Sequence, residues 1–173
     1  ENRAHNAFHD DRVGFWGFFE CIDDQAVADA LFDAASGWLA ARGLEVMRGP
    51  MNPSTNYECG MLTDGFEHRP SFMTCWNPPY YATLCERAGM RKAKDLVGYY
   101  IPMGDMGWSM PESFERLAER SLRRSGVAFR DLDLRRFEQE LEVVWDVYNS
   151  AWERNWGFVP MSKKEFVHMA RDM

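Results

Sequence analysis

Glu20 closes the aromatic run Arg12 to Cys21 (RVGFWGFFEC), and a carboxylate at the edge of such a run is either a solvent-facing strand end or a group for proton transfer. Rings around a carboxylate strip its water and raise its pKa towards the range where it exchanges protons with an amine. In WNPPYYATLCERAGM, Tyr80, Tyr81 and Cys85 share one predicted helix, where side chains of these types pack a core face by default and can otherwise donate a proton. Between them lies Asn52-Pro53-Ser54-Thr55-Asn56, in which Asn52, Ser54, Thr55 and Asn56 offer short polar groups. These either hydrogen-bond a substrate or cap their own loop. His5 and His9 are one helical turn apart and would share a metal only with a third ligand. No glutamate has the spacing of a zinc helix, so the pair otherwise reads as a half-exposed helix face, and no metal is expected.

Alternating strands and helices must position these groups. Val13, Phe15 and Phe19 point to one face of the aromatic run and Trp16 and Phe18 to the other, which predicts a central strand over 12–21. Gly14 and Gly17 mark either a close backbone approach or relief of crowding among the rings. Asp23 and Asp24 open a helix through Arg42, with apolar residues at helical spacing and Gly43 as its stop. A strand over Leu44 to Arg48 follows, so the unit favours a parallel pair with a right-handed crossover. Further strands are expected over Phe72 to Trp76, Lys94 to Pro102 and Gly126 to Leu132. Helices are expected after Asn77, after the Ser109/Glu112 capping box, after Asp133 and after the Ser162/Glu165 capping box. Trp145, Tyr148, Trp152 and Trp156 form an aromatic stripe that reads as packed core or subunit interface.

At 173 residues, with 46% hydrophobic and 14% aromatic residues, the chain has the means to fold. Its net charge of -7 has the wrong sign for steering onto a phosphate backbone, so nucleic acid is excluded as an expected partner. No apolar run reaches the ~18–20 residues that span a bilayer, so no membrane partner is expected. Four cysteines without CxxC spacing read as reduced thiols, and the expected location is cytoplasmic. The first residue, Glu1, follows no Met, and a fragment or processed chain is expected.

The segment from Gly17 to Met90 resembles the central portion of the GNAT N-acyltransferases. In that family a bulged strand leads to a loop of pattern (Q/R)xxGx(G/A), whose amides at a helix N-terminus hold the pyrophosphate of coenzyme A. Gln25-Ala26-Val27-Ala28-Asp29-Ala30 stands there in this chain, with alanines where the family prefers glycine. WNPPYYATLCERAGM is similar to the family's later helix beside the acyl-donor groove. The resemblance implies an α/β fold, a mixed sheet with flanking helices, here incomplete. It implies Phe19, Glu20, Cys21, Gln25, Ala26, Val27, Ala28, Ala30 and Asn77 as cofactor-binding residues, and acetyl-CoA or a longer acyl-CoA as donor. The acceptor would be a small amine or amino-acid-like molecule, attacking the thioester directly, with Glu20 as base and Tyr81 or Cys85 as acid.

GVAFRDLDLRRFEQELEVVWDVYNSAWERNWGFVPMSKKEF is similar to the opening of a second such domain. The implied organisation is a cofactor-binding half over 1–102, a linker with a short helix over 103–125, and the start of a second unit over 126–173. The second part would cover sheet edges left open by the first, within one chain or by exchange in a homodimer. The alternative function is a non-catalytic scaffold or dimerisation module, which the alanine-substituted loop favours.

Overall fold

The computed structural model describes residues 1–101, 109–126 and 128–172. Within them the chain is mixed α/β: α1 (Arg3–His9), β1 (Val13–Phe15), α2 (Gln25–Ala40), β2 (Val46–Arg48), α3 (Tyr80–Arg87), α4 (Glu112–Ser125), α5 (Phe137–Trp152) and α6 (Lys163–Asp172). The two strands pair in parallel, Gly14 opposite Met47, with α2 as the crossover.

α2 forms where Asp24 can cap it and where Ala28, Phe32 and Leu39 fall on one buried face. Trp16, Ala28, Phe32, Leu84 and Cys85 make the core under it, with Phe19 stacked on Phe32 at 5.0 Å. Each large side chain there contributes about 1.5–3 kcal/mol.

β1 is shorter than the predicted strand over 12–21 because the chain turns after Gly17. A Cβ at Gly17 would overlap the Met51 carbonyl, so the glycine permits a close backbone approach. Phe18 then takes a left-handed φ of 52°, held by its N–H donating to Asn52 Oδ1 at 2.7 Å. The expected strand over 72–76 is instead a turn, with Met73 also left-handed. Residues 94–101 and the described part of 126–132 form no strand among the described residues, since neither finds a backbone partner there. Pro102, Val127 and the linker positions 103–108 lie outside the described residues.

The compact units differ from the expected boundaries at 102 and 125. One unit joins residues 1–95 with those from 141 onward, and the other comprises Leu96–Glu140. The first unit is discontinuous because the segment 157–161 docks on the 54–57 loop. Thr55 Oγ1 donates to the Gly157 carbonyl at 2.7 Å and Asn56 Nδ2 to that of Val159 at 3.0 Å. Tyr148 Oη reaches Asn56 Oδ1 at 2.8 Å, and the Tyr148 ring lies between Phe158 and Phe166. In the second unit α4 has no buried residue, and Arg130 pairs with Glu140 at 2.8 Å.

Candidate functional site

Glu20 and Tyr81, 61 positions apart in sequence, meet in space. Tyr81 is buried on α3, and its hydroxyl donates to Glu20 Oε2 at 3.0 Å while accepting the Cys21 N–H at 3.0 Å. Tyr80 adds a bond to the Cys21 carbonyl at 2.9 Å. Burial raises the Tyr81 phenol above its ordinary range, and the Glu20 carboxylate adds to that, so the hydroxyl keeps its proton at neutral pH. Glu20 itself is exposed. Phe19 packs edge-on against the Tyr81 ring at 4.9 Å.

Cys85 lies one turn further along α3 but faces the core, where burial pushes its thiol up to about 11. A thiol enclosed by Trp16, Phe32 and Leu84 packs as a small apolar side chain.

The turn that the resemblance assigns to a pyrophosphate is already engaged. Asp24 Oδ1 accepts the N–H of Ala26 at 2.8 Å and of Val27 at 3.4 Å, while the Ala28 N–H bonds the Asp24 carbonyl at 3.1 Å. Ala28 is fully buried, Ala30 is exposed, and Gln25 Nε2 bridges Asp29 and the Leu84 carbonyl. An anion there would have to displace the cap and approach carboxylates.

Asn77 forms no cap on α3, where Pro79 occupies the N-cap position; it brackets the backbone of Leu62 through both side-chain atoms. Of the polar loop residues, Asn52 holds Phe18, buried Ser54 accepts from the Asn56 N–H, and Thr55 and Asn56 bind the 157–159 backbone. Their polar groups brace the first unit. Thr55 and Asn56 join loop to loop through partners about a hundred positions away, which local spacing does not reveal.

A second constellation surrounds the helix that begins the chain. A cleft of about 470 Å³ is lined by His5, Phe8 and His9 of α1, by Asp11, by Arg48 of β2, and by residues 153–157. His5 is 1% exposed, not half-exposed as the HxxxH spacing suggests, because its ring packs on Phe15 at 4.7 Å. Its Nε2 is buried and has no hydrogen-bond partner among the described residues. Burial lowers its pKa, so the ring is held neutral; neighbouring His9 and Arg48 act in the same direction, and Asn6 and Asp11 oppose them. His9 is exposed and its Nε2 donates to the Phe158 carbonyl at 2.7 Å. Asp11 and Arg48 pair at 3.8 Å, and the Arg48 guanidinium lies 5.5 Å from the Trp156 ring centroid. Among the described residues no three metal-binding side chains converge. The sequence signal for this cleft is the short motif HNAFH, in which Asn6 orients His5.

Among the described residues, no helix is long and apolar enough to cross a membrane. No protein-family model matches the chain, and no solved structure does. Among curated proteins the chain is 34% identical over 157 residues to Protein YghO of Escherichia coli strain K12, covering 91% of the chain and 39% of that protein. It is 38% identical over 160 residues to the bacterial ceramide synthase of Caulobacter vibrioides strain NA1000 / CB15N, covering 92% of the chain and 41% of that protein. The chain thus aligns over about nine-tenths of itself with about two fifths of each of these larger proteins.

Proposed function

We propose that this chain is part of an acyltransferase that joins an acyl group to an amine, as the synthesis of a ceramide joins a fatty acyl group to the amine of a long-chain amino alcohol. The observation that carries this reading is the 38% identity with the Caulobacter vibrioides ceramide synthase across 92% of the chain. The GNAT resemblance of residues 17–90 supplies the finer terms: an acyl-CoA donor and direct attack of the amine on the thioester carbonyl. The amine must lose a proton and the departing thiolate must gain one. Tyr81, protonated and held between Glu20 and Cys21, is the proposed acid or relay to the thiolate.

The chain and the full-length protein containing it are assayed side by side with acetyl-CoA, longer acyl-CoAs and a long-chain amino alcohol. Mass spectrometry should detect the amide, together with free coenzyme A. No amide from any donor, with calorimetry silent at millimolar acyl-CoA, would reject the reading.

A non-catalytic module is the second reading, and the Asp24 carboxylate sitting on the Ala26 and Val27 amides favours it. A dilution-resistant dimer in sedimentation, with no acyl-CoA binding, is its expected signature.

A further inference from the structure

α2 is apolar on two faces. Ala28, Phe32 and Leu39 pack on the core, and helical periodicity gathers Val27, Leu31, Ala34 and Trp38 on a second face turned away from it. Leu31 is 44% exposed and Trp38 47%. Ala26, Ala30, Gly37 and Ala41, all exposed, form a row of small residues along one border of that face. Gly37 has no explanation within the chain. Glycine inside a helix costs about 1 kcal/mol relative to alanine, and a Cβ at this position would meet nothing within 4 Å, so no neighbour requires its absence. A glycine on an open face leaves room for another backbone to come close.

Charge decides which surface fits. Asp23 and Asp24 stand at the start of the face, Asp29 and Asp33 follow on the polar side of the helix, and Arg42 stands at the far end with its guanidinium 3.4 Å from the Trp38 ring centroid. Four carboxylates along one helix repel an anionic bilayer. A copy of the same helix running the opposite way is complementary instead. Turned about a two-fold axis at Ala34, the face sets Val27 and Leu31 beside the partner's Trp38, Ala30 beside the partner's Gly37, and Asp24 beside the partner's Arg42. Large side chains then interdigitate along one border while the small row lets the backbones approach along the other. Arg42 Nη1 donates to the Trp38 carbonyl at 3.0 Å, and the guanidinium has further N–H groups for a carboxylate. Opposed helix dipoles favour the same direction.

We propose that the outer face of α2 is the interface of a two-fold dimer, in which a second copy of this chain packs antiparallel, α2 on α2. This goes beyond the acyl-transfer reading and does not rest on it. A face of 16 residues is about 24 Å long and one helix wide, less than the ~800 Å² per partner of a standard interface. The dimer therefore comes apart on dilution, unlike the one expected of a non-catalytic module.

Sedimentation of the chain from low micromolar to millimolar concentration should show a monomer passing into a dimer, whether or not acyl-CoA binds; a monomer throughout overturns the inference. Ala34→Glu sets two carboxylates against each other at the axis and should raise the dimer Kd at least about tenfold. Leu31→Lys is the second variant. Both positions are exposed, so circular dichroism should show wild-type helix content in each. A dimer that neither variant weakens lies on another surface and overturns the inference. Ala34→Cys, oxidised in air, should link to its own counterpart in the partner, with the joined peptide identified by mass spectrometry; a dimer without that link overturns the antiparallel register. The full-length protein is run beside the chain. If it stays monomeric while its Trp38 peptide is shielded from oxidative footprinting, the rest of that protein covers the face and the inference fails.

Discussion

Tyr57 and His5 make the chain sensitive to pH from opposite sides. The Tyr57 hydroxyl donates to Glu165 Oε1 at 2.8 Å, and burial together with that carboxylate pushes the phenol up to about 12. A folded-state pKa above the unfolded value of about 10 gives stability that is whole below pH ~10 and lost as pH rises through ~12. Tyr57→Phe should cost about 1 kcal/mol at pH 7 and flatten the alkaline loss, as read from urea midpoints between pH 8 and 11. His5 runs the other way. Its folded pKa lies below the ordinary value of about 6.5, so its contribution is full above 6.5 and lost as pH falls through the lowered value. Urea midpoints from pH 7 down to 4 should fall less steeply in His5→Gln than in the wild type. Among the thiols, Cys85 should react last with iodoacetamide, since it is buried and its thiolate is the hardest to form; mass spectrometry of the labelled peptides would show the order.

Helix ends and one tight turn decide the element scale. Asp24→Ala removes the cap of α2 and should cost about 0.5–2 kcal/mol in thermal unfolding. If the freed amides then bind coenzyme A more tightly than the wild type does, that carboxylate is the brake on the α2 turn. Gly17→Ala should cost about 1–3 kcal/mol, because the Met51 carbonyl occupies the space of the new methyl. Helices were legible where their caps lie within a few residues, but the expected caps Asn77 and Ser109 do not form: Pro79 and Pro111 stand at the N-cap positions of α3 and α4 with no side-chain bond. Asp24, Gly43, Gly89 and the Ser162 hydroxyl on the Glu165 N–H at 3.2 Å all act where spacing places them. Strands depend on distant partners, and Phe72 to Trp76 has strand composition but no ladder. The site was half legible for the same reason. Glu20 and Tyr81 were named separately, and only the fold shows their contact; the loop 52–56 was noticed for its polarity, but its partners lie far along the chain.

Across the whole molecule, the first unit is held by bonds between the two ends of the sequence. His9 to Phe158, Thr55 to Gly157, Asn56 to Val159 and Tyr57 to Glu165 span 102 to 149 positions. Trypsin acting at exposed Lys92, Lys94, Arg116 or Arg120 should therefore leave an early and a late fragment that co-elute in gel filtration and part only in denaturant. Asn56→Ala should weaken that association, since it strips partners from both Val159 and Tyr148. The same arrangement bears on biosynthesis. A ribosome adding about 5–20 residues per second exposes the first 95 residues for several seconds before their late partners emerge. During that wait Thr55 and Asn56 lack the stretch of backbone that satisfies them, and the nascent unit must be sheltered or stay unfinished until residues 157–165 have emerged.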